Sequence, residues 1–115
     1  MKNDYGERLD SNRYAPSITQ WNAGEQCAFC GREHVEVVRH EIFPGHGRRE
    51  KCKQYGIWIT VCPMCHTFIH TNPKNSKVME LDRHAQHQAM EKYGWTTREF
   101  VEKFGKNYLE EWKDE

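Results

Sequence analysis

The sequence lacks any apolar run near the ~20 residues that a membrane-spanning helix needs, and its first twenty residues, Met1 to Gln20, are polar. No secretory signal is visible there, so a cytosolic protein is expected. It lacks net charge: 17 Lys and Arg balance 17 Asp and Glu. That argues against a protein that coats a duplex by bulk electrostatics, which would be strongly basic. Apolar residues are few, at 37% with a mean hydropathy of -1.01. At 115 residues one domain is expected, with too little burial to be comfortably stable unless something staples it. Repeats and low-complexity stretches are absent too.

Cysteine and histidine are what the chain does have. Of its 5 cysteines, four form two pairs, Cys27-x-x-Cys30 and Cys62-x-x-Cys65. In a reducing compartment such pairs are metal ligands before they are disulfides, and the two-residue spacer lets each pair approach one tetrahedral zinc ion. Cys52 is left over. His66 and His70 follow the second pair at i and i+4, a spacing that puts both imidazoles on one helical face. Rotation about the helix turns them away from the cysteines. One ion would therefore hold the fold, and a second would sit on the other side of the same helix.

Along the chain, residues 1–22 read as an irregular N-terminal arm. Cys27-Ala-Phe-Cys30-Gly31 is a knuckle. Val35 to Ile42 is rich in β-branched residues and predicts a strand, ended by Pro44 and two glycines. Residues 45–53 predict a basic loop, with Arg48, Arg49, Lys51 and Lys53 against a single Glu50. Ile57 to Val61 predicts the second strand, and Pro63 opens a helix that Thr71-Asn-Pro73 closes. Ser76 can cap a further helix with the apolar stripe Val78, Leu81, Ala85 and Ala89, stopped by Gly94. Thr96 to Glu99 is a capping box for a last helix with Phe100, Val101 and Phe104 on its apolar face. The expected fold class is α+β: a core over 23–75, then a helical extension over 76–115.

Strand and helix would frame a cleft holding His40 or Glu41, His66 and His70, with the basic loop at its mouth. Such a cleft suits phosphodiester hydrolysis. A divalent ion held by imidazoles leaves positions open for a phosphate oxygen, a histidine can take a proton from water, and arginines can hold phosphates.

At these residues the chain resembles the HNH family of ββα-metal, treble-clef endonucleases, in particular the small versions encoded by phages and prophages. His40-Glu-Ile-Phe-Pro-Gly45, the charged loop, and Val61-Cys-Pro-Met-Cys-His66 with His70 carry the resemblance, and Gly94 to Leu109 looks like the C-terminal part of these phage proteins. The resemblance implies a ββα-metal core with a structural zinc held by the four paired cysteines, and an ion (Mg2+, Mn2+, Ni2+ or Zn2+) held by His66, His70 and His40. It implies catalysis by His40, Glu41 and His66, and DNA contacts from Arg39, Arg48, Arg49, Lys51 and Lys53. The substrate would be duplex or branched DNA in the cytoplasm of a bacterial host, with a phage protein as a further partner. The family's first-strand pair is commonly Asp-His or His-His; here it is His40-Glu41. Either His40 is a ligand and Glu41 the base, or His40 is the base and Arg39 cannot ligate.

Other residues carry plainer expectations. His34 could serve the zinc, and His46 could touch phosphate. His84 and His87 suit a solvated face, while Trp21, Trp58, Trp95 and Trp112 are expected to pack. The alternative to an enzyme is a non-catalytic zinc-stabilised module that binds nucleic acid or protein.

Overall fold

The structure, a computed structural model, describes residues 1–45 and 47–111; His46 and Trp112 lie outside the described residues. Two short strands, β1 (Val38–Glu41) and β2 (Trp58–Val61), pair antiparallel, with Val38 opposite Val61 and His40 opposite Ile59. The first strand is shorter than its β-branched run predicts. Its partner offers only four residues, and a strand ends where its ladder ends. All of β2 is buried, because elements cover both of its faces.

Between the strands the expected basic loop is a helix, α1 (Arg48–Tyr55). Its sequence has strong helix formers but no apolar stripe, so propensity supports it while periodicity does not show it. Gly47 and Gly56 bound it with φ of 81° and 75°, the left-handed conformation that glycine adopts freely. Gly56 is further constrained by space. A Cβ there would collide with the Pro16 carbonyl oxygen, so the N-terminal segment passes directly over it.

That segment is irregular, as expected, but it is fastened along its length. The Ala15 amide donates to the Lys53 carbonyl at 2.8 Å and the Ile18 amide to the Gly56 carbonyl at 2.9 Å. The Trp58 indole donates to the Ala15 carbonyl at 2.8 Å. The segment thereby covers the outer face of the two-stranded sheet.

After β2, α2 (Pro63–Thr71) begins at Cys62 with proline in its first turn. Helix α3 (Ser76–Tyr93) is capped by Asn75 rather than Ser76, the asparagine side chain accepting from the amides of Lys77 and Val78. Thr96 and Glu99 form the expected capping box of α4 (Thr97–Phe104). A short α5 (Tyr108–Glu111) follows, tied back when the Tyr108 amide donates to the buried Gln86 side chain at 2.7 Å. Phe43, Phe100 and Phe104 pack ring against ring at the centre with Ile57, Ile59 and Val61. The architecture is α+β. Among the described residues no helix is long and apolar enough to cross a membrane.

Trp58 and Trp95 are buried as expected, but Trp21 is 94% exposed. It sits in a turn ahead of the first knuckle, where no element lies over it. Leftover Cys52 is buried, its sulfur accepting from the Phe43 amide at 3.4 Å. Burial pushes its thiol up to about 12, so it behaves as a small apolar group.

Candidate metal centres

Helix α2 carries candidate metal ligands on two sides. On one, Cys62 at the end of β2 and Cys65 in the first turn meet Cys27 and Cys30 of the knuckle, all four sulfurs lying within 4.8 Å of one another. Four thiolates around one zinc at about 2.3 Å stand about 3.8 Å apart, a spacing that falls within this limit. Cys30 adds an amide donor to the Cys27 sulfur at 3.4 Å. Burial opposes ionisation of Cys27, but hydrogen bonds from the backbone of Cys30, Cys62 and Phe29 outweigh it and bring the thiol down to about 6. Cys65 moves the opposite way, raised by burial and by the neighbouring sulfurs of Cys62, Cys27 and Cys30. Packed thiols that cannot all ionise unaided are what a cation resolves. These residues fit a metal ion such as zinc. His34 is not part of the cluster; it is exposed, in a left-handed turn with φ of 59°.

On the other side of α2, His66 and His70 stand one turn apart with their Nε2 atoms at 3.1 Å. His40 reaches them from β1, its ring centroid 5.3 Å from each of theirs. One nitrogen from each of the three lies within 4.8 Å of the others. Two imidazole nitrogens on one tetrahedral zinc stand about 3.3 Å apart, given bonds of about 2.0–2.1 Å. The same 3.1 Å separation also suits one ring donating a hydrogen bond to the other. The cluster is graded in exposure, with His40 buried, His66 half-buried and His70 exposed. Burial, then the neighbouring His70, His66 and Arg49, bring His40 down to about 3. Burial and His70 lower His66 as well. At neutral pH His40 and His66 are thus uncharged, as ligation requires.

Strand alternation places Glu41 differently. Its carboxylate accepts a hydrogen bond from the hydroxyl of Tyr14, a residue of the N-terminal segment. The three-histidine cluster does not include Glu41, although its charge is near enough to favour protonation of His66. Tyr14 was not legible as a site residue, since nothing in a polar lead-in marks one tyrosine. Compared with known proteins, the chain matches no family model, no curated protein and no solved structure.

The basic residues expected at the mouth of the cleft are dispersed, because a helix turns successive side chains by about 100°. Arg49 alone faces the histidines; it lines a cavity of about 160 Å3 with His40, His70, Glu41 and Asp82. Arg48 lies against Gly45 and Gly105, and Lys51 donates to the Lys103 carbonyl at 3.1 Å, so both serve the C-terminal end of α4. Lys53 pairs with Glu50 at 3.8 Å. Arg39 points to the opposite face of the sheet, pairing with Asp10 at 2.9 Å. Asp82, half-buried on α3, reaches the cavity from outside the expected core. Only its place, one turn after Val78 on the inward side, could have signalled it.

Proposed function

We propose that the chain is a metal-dependent endonuclease that hydrolyses DNA phosphodiester bonds, built on a ββα-metal domain of HNH type. The observation that carries this is the three-histidine cluster on the side of α2 away from the cysteines. A purely structural zinc module has no use for it. Two strands followed by a helix, with His40 on the first strand and His66 and His70 on the helix, also agree with the resemblance in the sequence.

A divalent ion at the cluster would supply Lewis-acid polarisation of a phosphate oxygen and a more acidic water. His66 and His70 hold it from one helical face. His40 approaches the same point from the strand and keeps a lone pair at neutral pH, to give to the ion or to the proton of the attacking water. Arg49 presents a fixed positive charge beside the pair, suited to a phosphate oxygen as negative charge grows. Glu41, bonded to Tyr14, has the supporting place of a nearby negative charge.

Plasmid nicking with Mg2+, Mn2+ or Ni2+ tests the reading on the native chain and His66→Ala. Activity in the native chain alone supports it. Equal activity in both would mean that the cluster is not the catalytic site. No activity in either, with the fold intact and zinc bound, would leave a zinc-stabilised binding module. One observation favours that second reading: Arg48, Lys51 and Lys53 are engaged within the fold, not massed at the cluster.

A further inference from the structure

The sheet's other face, turned away from the histidines, carries two adjoining grooves, and two of the residues expected to contact DNA, Arg39 and Lys53, lie here and not at the cluster. Arg39 and Tyr14 form the wall between them. The Arg39 guanidinium carbon lies 4.0 Å from the Tyr14 ring centroid and 5.0 Å from that of Trp58. One groove, of about 530 Å3, is lined by Ser11, Asn12, Arg13, Tyr14, Arg39 and Lys53. The other, of about 390 Å3, is walled by Leu9, Ala15, Pro16 and Trp58, with Arg8 and Asp10 at its edge.

Over the two grooves together the cations exceed the carboxylates by one. Arg8, Arg13, Arg39 and Lys53 face Asp10, Glu41 and Glu50. Asp10 pairs with Arg39 at 2.9 Å, while the single Glu50 carboxylate serves both Arg13, at 3.1 Å, and Lys53, at 3.8 Å. Among the described residues Arg39 Nη1 has no hydrogen-bond acceptor and is closed off from solvent. One groove thus offers three cations that share two carboxylates in ion pairs, with hydroxyl and amide groups beside them, and its neighbour offers apolar and indole surface with Arg8 at its edge. The two meet at a stacked arginine and tyrosine.

We propose that this face binds a nucleotide, with its phosphate between Arg13, Arg39 and Lys53 and its base in the groove of Leu9, Ala15, Pro16 and Trp58. Guanidinium groups and ammonium suit phosphate oxygens, and an aromatic-lined groove accepts any base through its π face. Together the grooves have the size of a small-ligand site, about 300–1,000 Å3. The nucleotide is either free or one unit of a DNA strand. The site lies on the opposite face of the sheet from the histidine cluster, the two being joined by the hydrogen bond from Tyr14 to Glu41.

The test is an NMR titration of the zinc-loaded chain, without added divalent ion, following the Trp58 indole N–H, which bonds to Ala15. The probes are dAMP and a single-stranded oligonucleotide. The expected result is a saturable shift of that resonance, at least tenfold weaker for Arg13→Gln/Lys53→Gln, whose side chains are on the surface and whose loss leaves the core intact. A shift with dAMP assigns a free-nucleotide site, and a shift with the oligonucleotide alone assigns a strand site. No shift with either probe, or equal affinity in native chain and variant, overturns the proposal.

Discussion

His66 and His70 hold their Nε2 atoms 3.1 Å apart on one face of α2, while Cys65, the neighbour of His66, turns its sulfur into a different cluster on the other side. A single nine-residue helix therefore separates two candidate metal-binding clusters by rotation alone. Because the clusters share no ligand, they should respond independently to substitution. His66→Ala and His70→Ala are each expected to weaken Mn2+ or Ni2+ binding by tenfold or more and to remove nicking, while retaining one zinc per chain. Titration calorimetry and metal analysis of the purified variants measure this. Loss of the structural zinc from either variant would mean that the two sites are coupled.

His40 should distinguish its two roles by the same measurements. If it completes the ligand set, His40→Ala loses metal affinity and turnover together. If it takes the proton, affinity stays and kcat falls by about 10²–10⁴-fold. Tyr14→Phe is the companion experiment for Glu41. The expected change in turnover is smaller, because Glu41 lies outside the cluster and acts on it through charge.

The cysteine cluster should decide whether the domain folds. It joins the first knuckle, the end of β2 and the start of α2, elements that otherwise share a small core. Structural zinc is worth about 10–16 kcal/mol in small zinc-finger peptides, which is as large as the whole stability of a typical domain, ~5–15 kcal/mol. A chelator strong enough to remove the ion, or Cys62→Ser, is therefore expected to abolish the cooperative thermal transition seen by circular dichroism. A chain that still melts cooperatively at an unchanged temperature after metal removal would contradict this.

The cysteines and helix histidines were legible because their chemistry is written in local spacing. The capping box at Thr96 and Glu99 was legible for the same reason, since two side chains three residues apart satisfy each other's backbone. What sequence did not give depends on distant neighbours or on helices without a stripe. Helix α1 has no apolar stripe, so its sequence predicts a loop with one basic patch, whereas the helix sends Arg48, Arg49, Lys51 and Lys53 to different partners. Tyr14 reaches Glu41 across 27 positions, and no periodicity connects them. Likewise α5 is fixed by the distant Gln86, whose burial only the folded chain reveals.

Two substitutions calibrate the stability of the C-terminal helices. Phe100 is fully buried against Phe43 and Phe104, so Phe100→Ala should cost about 3–5 kcal/mol by leaving a cavity. Thr96→Ala removes only the acceptor for the Glu99 amide and should cost about 1 kcal/mol. Urea midpoints on zinc-loaded protein, at unchanged m-value, report both. Similar costs for the two would mean that α4 is held by its cap and not by its aromatic face.

Acid should destabilise the fold through His40 before it reaches the carboxylates. Its folded pKa is brought from 6.5 to about 3 by burial and by its neighbours, so the unfolded chain binds the proton more readily. Above about pH 6.5 the imidazole is neutral in both states and contributes no pH dependence. As pH falls from there towards about 3, only the unfolded chain takes up the proton. Stability should then drop with a slope of about 1.4 kcal/mol per pH unit for this one group. His66, shifted in the same direction, adds to the slope. Urea unfolding of the native chain between pH 7 and pH 5, set against His40→Leu, isolates the effect: the variant's curve should be the flatter. Parallel curves would show that His40 is protonated in the fold as readily as in the open chain.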